Sequence, residues 1–199
     1  MSQLIETIRL EDGIIYNQEL HQERIKKSLY DLYNATSYPD ITKILSNEVF
    51  PQEGLYKIRL IYNCKSTKTE CVPYTLRTVK KLKLIECSDI KYAYKWEDRK
   101  ELNNLCSQKG DCDDILIVKN GLITDTSYTN IIFQDRNEWL TPSFPLLKGT
   151  QRQFLIQQGI IKEADIRIED LGRFSRAGLI NAMLPFDRMP MIRIDDIII

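Results

Sequence analysis

"DDILIVKNGLITDTSYTNIIFQDRNEWLTP", residues 113–142, is the stretch whose reading decides the fold class. The apolar run from Ile115 to Val118 stops at Asn120-Gly121, the dipeptide best suited to the two positive φ angles of a tight hairpin turn. A second run follows from Leu122, the polar string "TDTS" interrupts it, and a third resumes at Asn130. The pattern is strand, Asn-Gly turn, strand, turn, strand. Towards the C-terminus, "TQRQFLIQQG" from Thr150 has helical spacing and Gly159 stops it. A short acidic helix, "IEDLGRFS", then precedes the apolar "AGLINAMLPF".

Towards the N-terminus the elements alternate in kind. "LIETIRL" has the loose alternation of a strand, and "DGII" at 12–15 supplies a turn and a second strand. Residues 18–34 place Leu20, Ile25, Leu29, Leu32 and Tyr33 at near-helical spacing, and Asp40 is placed to cap a second helix with Ile41, Ile44, Leu45 and Val49 on its apolar face. "GLYKIRLIYN" alternates Tyr56, Ile58, Leu60 and Tyr62 as a half-buried strand. Strand-like runs follow near 67–74 and 78–87, with Pro73 marking an edge or an end. A helix is expected to begin near Trp96. The sum is an α+β chain in two halves, a small α/β domain over 1–87 and a second domain over 88–199.

Composition excludes several function classes. Lys plus Arg and Asp plus Glu are both 28 in 199 residues, so the net charge is zero, which argues against a nucleic-acid binder driven by phosphate neutralisation. No apolar run approaches the roughly 20 residues of a membrane span. "MSQLIETIRLEDG" lacks the apolar core of a signal peptide, and five cysteines without a CxxC pair fit reduced thiols, so a cytoplasmic location is expected. One histidine, His21, argues against a His-based metal cage or a Ser-His-Asp triad. Proton chemistry then falls to Lys, Asp, Glu, Tyr or Cys. Neither GxGxxG nor GxxxxGK[ST] occurs.

"YKWEDRKEL", residues 94–102, sets Lys95 between Tyr94 and Trp96. The ordinary use of such a lysine is a surface stem lying over an aromatic ring. The rest of the chain favours another use. "GLITDTSYTNIIF", "WLTP", "LLKGTQRQF" and "INAMLP" resemble, in order and spacing, the second half of the class IV aminotransferases, the fold-type-IV pyridoxal-phosphate enzymes. "ETIRLEDG" and "HQERIKKSLYDL" resemble the family's first strands and its His-x-x-Arg helix. "YKWEDR" and "NAMLP" are most similar to the 4-amino-4-deoxychorismate lyase branch, then to the D-amino-acid and branched-chain transaminases.

The resemblance implies a two-domain fold-type-IV architecture, D-amino-acid aminotransferase-like, with the second domain binding pyridoxal 5′-phosphate. It is N-terminally shortened, because the family carries a first hairpin ahead of "ETIR". It also implies a homodimer acting on a small amine, with no nucleic acid, membrane or metal involved. Lys95 would carry the cofactor and then move the substrate's α-proton, a task for a lysine that can lose its proton near neutrality. Asp125 stands where the family has Glu and would keep the ring nitrogen protonated; its ordinary use is a turn aspartate in "TDTS". Arg24 would grip the phosphate with its rigid fork of donors. Gly149, Thr150 and Gln151 open a helix whose amides form an anion site, and Ala182 lies in a second phosphate-proximal turn. Arg99, four residues after Lys95 and so expected on the same helical face, would orient a substrate carboxylate. Arg59 and Tyr94 are weaker candidates, Asn130 is expected to fix the turn beneath the cofactor, and His21 to pack or hydrogen-bond inside the fold. The activities implied are lyase chemistry releasing pyruvate and 4-aminobenzoate, transamination, or a non-catalytic cofactor-binding relative.

Overall fold

The structure, a computed structural model, describes residues 2–199. It divides the chain into two compact units, residues 1–76 with 94–98, and residues 77–93 with 99–199.

In the first unit, β1 (Leu4–Glu11), β2 (Ile14–Ile15), β3 (Leu55–Tyr62) and β4 (Thr67–Pro73) form an antiparallel sheet in the order β2-β1-β3-β4. Strand alternation sends Leu4, Ile8 and Leu10 of β1 and Ile58, Leu60 and Tyr62 of β3 into one core. That core receives Ile25 and Leu29 of α1 (Gln18–Tyr33) and Ile41 and Leu45 of α2 (Ile41–Ser46). Asp40 caps α2 as expected, its carboxylate accepting from the Lys43 N–H at 3.1 Å. Residues 94–98 come back to the same sheet. The Ile5 N–H donates to the Lys95 carbonyl at 2.9 Å, the Glu97 N–H donates to the Gln3 carbonyl at 2.9 Å, and Trp96 bridges Leu4.

The second unit is built on nine strands. β5 (Leu82–Glu86) runs parallel to β6 (Asp114–Lys119), beyond α3 (Lys100–Cys106). β6 and β7 (Leu122–Thr126) form the expected hairpin, with Asn120 at φ 53° and Gly121 at φ 76°. β8 (Asn130–Asp135) and β9 (Glu138–Pro142) continue it antiparallel, and α4 (Thr150–Gln157) crosses to β10 (Ile161–Ala164), parallel to β9. β11 (Arg176–Ile180) pairs with β8 and with β12 (Met191–Arg193), while β13 (Ile197–Ile198) pairs with β5. Gly159 ends α4 in the left-handed region, at φ 67°.

Four expectations are corrected. The boundary at 87/88 lies instead at 76/77, because β5 is bound into the second sheet by β6 and β13, and 94–98 belong to the first unit. The strand expected over 78–87 forms only over Leu82–Glu86. Residues 113–142 hold four strands rather than three, because Arg136 reverses the chain at φ 54° without a glycine to announce the turn. Finally, the helix expected near Trp96 begins at Lys100, with Arg99 as its N-cap residue. Lys95 and Arg99 are therefore not one helical turn apart, and they fall in different units.

Candidate active site

Lys95 sits at the middle of a three-residue turn, closed by the Trp96 N–H donating to the Tyr94 carbonyl at 3.0 Å. Tyr94 and Trp96 both pack on the first unit's core and meet edge-on at 6.1 Å between ring centroids. The aromatics on either side of the lysine thus anchor the turn, and the Ile5 N–H pins its carbonyl. The Tyr94 hydroxyl reaches Asp31 at 3.4 Å.

Beside this turn lies a buried polar cluster. Glu6 occupies the core-facing position of β1 between Leu4 and Ile8 and has no solvent exposure. Arg24 donates from Nε to Oε1 at 2.9 Å and from Nη2 to Oε2. His21, equally buried, places Nδ1 at 2.5 Å from Oε2. Burial pushes the Glu6 carboxyl up, but Arg24 and His21 outweigh it and hold the group at about 2. Burial drives the His21 pKa down, helped by the positive charges of Arg24 and Lys95. Arg24 and Lys95 are thus both close enough to act on His21. His21 takes the internal hydrogen-bonding role expected of it.

In the second unit, Asp125 is not a turn residue: it lies in β7, opposite Asn130 of β8, and is 5% exposed. Its Oδ1 accepts from Asn130 Nδ2 at 2.8 Å and its Oδ2 from the Leu147 N–H at 2.9 Å. Asn130 Nδ2 also donates to the Leu147 carbonyl at 2.8 Å. This closed ring of bonds abuts the start of α4, since a Cβ on Gly149 would lie 2.1 Å from Asn130 Oδ1. Burial pushes the Asp125 pKa up to about 6, against the Leu147 and Asn130 hydrogen bonds and the Arg152 charge. Thr150 and Gln151 open α4 in buried positions, and no side-chain hydrogen bond caps its N-terminus.

Arg99 donates from Nη2 to the Ser127 carbonyl at 2.5 Å, in the loop that follows β7. Ala182 lies in the turn after β11, where Asn181 Oδ1 accepts from the Met183 N–H at 2.8 Å. Arg59 pairs with Glu70 at 2.6 Å across β3 and β4. The structure thus gathers Arg24 and Lys95 around His21 in one unit, and Asp125, Asn130 and Gly149 in the other. Glu6 and Arg152 are among the buried charges that the sequence alone does not assign. Glu6 was legible in the alternation that puts it on the Leu4, Ile8 and Leu10 face. Arg152, 1% exposed, reaches the Pro142 carbonyl at 2.8 Å and Glu163 at 2.6 Å; only its place in Gly149–Arg152 singled it out.

The family model for amino-transferase class IV matches residues 98–190. An uncharacterized protein of Haemophilus influenzae is 38% identical over 185 residues, 92% of this chain and 98% of its own. A crystal structure from Haemophilus somnus 129PT, provisionally named a 4-amino-4-deoxychorismate lyase, has a TM-score of 0.89 at 38% identity and covers 94% of this chain and 98% of that one. The chain belongs to the class IV aminotransferase family. Its α+β architecture is that of the fold-type-IV enzymes. An aminotransferase of Mycobacterium tuberculosis, named hypothetical and solved in its PLP-bound form, shares the fold with a TM-score of 0.75 at 15% identity, covering 96% of this chain and 80% of that one.

The residues of this class IV aminotransferase fit the family's cofactor, pyridoxal 5′-phosphate. Asp125 is a buried acid whose direct donors, the Asn130 amide and the backbone N–H groups of Leu147 and Leu146, are neutral; a protonated ring nitrogen would be a cationic donor to such a carboxylate. Among the described residues no group of three or more His, Cys, Asp and Glu could hold a metal ion, and no helix is long and apolar enough to cross a membrane.

Proposed function

We propose that this class IV aminotransferase is a pyridoxal-phosphate-dependent 4-amino-4-deoxychorismate lyase, converting its substrate to pyruvate and 4-aminobenzoate. The observation that carries the reading is the 38% identity to the Haemophilus somnus protein over 98% of that chain. When bound, pyridoxal phosphate supplies an electron sink for carbanion chemistry. Lys95 would hold the cofactor through its amine and, as general base, would take the proton at the substrate carbon to be activated. Its fixed carbonyl holds the side chain's origin steady while the amine changes protonation state. Asp125 would face the ring nitrogen as a carboxylate, and Asn130 and the Leu147 N–H keep its two oxygens in place. Arg24 and the amides of Gly149, Thr150, Gln151 and Ala182 would take the phosphate. Arg99, steadied by the Ser127 carbonyl, orients a substrate carboxylate. Substrate and the two products contain the same atoms, so no co-reactant is required. The enzyme works as a homodimer.

The test is direct competition. Purified protein with pyridoxal phosphate is given 4-amino-4-deoxychorismate in one reaction, and leucine or D-alanine with 2-oxoglutarate in others. 4-Aminobenzoate should form fastest. Glutamate formation without 4-aminobenzoate would replace the lyase with a transaminase. Pyridoxal phosphate bound at Lys95 with no product anywhere would leave a non-catalytic cofactor binder.

A further inference from the structure

We infer that Ser127 and Cys106 are positioning residues for Arg99: they fix both ends of α3 on the loop after β7 and so hold the guanidinium where a substrate carboxylate can meet it. The inference rests on the reading above, in which Arg99 orients that carboxylate. α3 is 7 residues long, well short of the roughly 12–15 at which a helix holds itself together in water, so its ends are placed by what they touch. Arg99 is the N-cap residue and its side chain makes no cap hydrogen bond; Cys106 is the last helical residue. Both side chains go to Ser127. Arg99 Nη2 donates to the Ser127 carbonyl at 2.5 Å, and the Ser127 side chain hydrogen-bonds the Cys106 thiol. One loop residue thus meets the two ends of the helix. A guanidinium has five N–H donors, and this carbonyl takes one of them from Nη2.

The clamp continues inward. Cys106 Sγ donates to Asp114 Oδ1 at 3.4 Å, and Asp114, the first residue of β6, has no solvent exposure. Burial pushes the Cys106 thiol up and the Asp114 charge adds to it, so the thiol keeps its proton: it can donate to Asp114 and accept from Ser127. Asp114 Oδ2 has no hydrogen-bond partner among the described residues. α3 otherwise buries Leu102 and Leu105, and an apolar pair in place of the thiol and the half-satisfied carboxyl would avoid the cost of burying them, so stability alone does not account for the polar chain. The outer end is equally firm. Ser127 is 7% exposed, and on either side of it the Thr126 and Thr129 hydroxyls lie 2.7 Å apart while the Thr129 N–H donates to Thr126 Oγ1 at 3.1 Å. Asp125 stands two residues before Ser127. The same short segment therefore carries the carboxylate assigned to the ring nitrogen and the carbonyl that holds Arg99, and sets the one relative to the other.

The test uses the full-length, cofactor-loaded protein. KM and kcat are measured with 4-amino-4-deoxychorismate, and dissociation constants by spectral titration with pyruvate and with 4-aminobenzoate, each of which keeps one of the substrate's carboxylates. Arg99→Ala should raise KM and weaken the binding of one of the two products. Ser127→Ala removes the hydroxyl and leaves the carbonyl. It and Cys106→Ala should raise KM roughly three- to tenfold and weaken the same product by a like factor, the range for one hydrogen bond, with kcat and cofactor affinity nearly unchanged. Cys106→Ser keeps a donor and an acceptor and should stay near wild type. In an Arg99→Ala background Ser127→Ala should have no further effect. Unchanged binding in both Ser127→Ala and Cys106→Ala overturns the inference, as does an effect of Ser127→Ala that persists without Arg99. If Cys106→Ala does not fold, Ser127→Ala decides alone. The titrations need no turnover, so they decide equally in a protein that makes no product. Arg99→Ala with wild-type KM and both products bound as before would defeat the placing of Arg99 at the carboxylate instead.

Discussion

Asp125→Asn separates an electrostatic role from a structural one. In the apo-protein the Asp125 carboxyl is pushed up to about 6 from an ordinary 3.8, chiefly by burial. A displacement of that size is worth about 3 kcal/mol against the ionised form. The folded-state pKa is raised, so this group's contribution to stability is fully present below pH 3.8 and is lost as the pH rises through about 6. A protonated ring nitrogen beside it supplies the missing charge, so bound cofactor should restore the stability lost above pH 6. Asparagine has nearly the same shape, keeps one of the two accepted hydrogen bonds and cannot ionise. Loss of a partner to developing charge costs on the order of 3 kcal/mol, roughly a hundredfold in turnover. The assays are product formation at saturating substrate and the melting temperature of apo- and cofactor-loaded protein from pH 5 to 8. Wild-type protein should gain more from cofactor at pH 8 than at pH 5, and the variant should gain equally at both. Turnover within threefold of wild type, with the pH dependence of the gain intact in the variant, would refute the reasoning and leave Asp125 a buried acid of the fold.

Three further outcomes follow from the same structure. Borohydride treatment of the cofactor-loaded protein should leave the label on the peptide containing Lys95, and Lys95→Ala should abolish both the label and the visible absorbance band. Gly149→Ala should cost about 2 kcal/mol or more, measured by denaturant unfolding, because its Cβ would meet Asn130 Oδ1 at 2.1 Å and Asn130 is already committed to Asp125 and Leu147. Glu6 has a lowered folded-state pKa of about 2, so its contribution is present above pH 4.5 and lost as the pH falls towards 2; acid unfolding of Glu6→Gln should be correspondingly less steep than that of wild type.

Local rules reached much of this molecule. The Asn120-Gly121 hairpin, the Asp40 cap and the Gly159 stop each depend on one or two residues whose backbone preferences act alone, and all three form. The missed features depend on partners distant in sequence. Residues 94–98 have charge and aromatic spacing compatible with a helix, yet the Ile5 and Gln3 backbone groups hold them against the first sheet, so the helix waits until Lys100. That displacement removes the helical-face argument linking Arg99 to Lys95, and Arg99 instead meets a carbonyl in the loop after β7. By chain order alone β5 closes the first half, because it follows β4. It belongs to the second because its parallel partner, β6, begins only at Asp114.

Two of the buried carboxylates, Glu6 and Asp125, show how the same residue chemistry divides by environment. Burial raises the pKa of both. Glu6 meets a guanidinium on both oxygens and a histidine besides, and these partners reverse the effect of burial. Its charge is balanced inside the protein, so it has no need of an outside cation. Asp125 meets an asparagine amide and the backbone N–H groups of Leu147 and Leu146, and burial wins. Neutral donors fix the direction of its oxygens but do not balance the charge, and the Arg152 guanidinium that does act on it is bonded to Pro142 and Glu163. A carboxylate held in geometry and left short of positive charge is arranged to receive a cationic N–H from a ligand. That contrast, more than the aspartate's place in a motif, supports its assignment to the ring nitrogen. It also explains how aspartate can stand where the family has glutamate: β7 sets the backbone, Asn130 and Leu147 set the oxygens, and the shorter side chain is fixed at both ends.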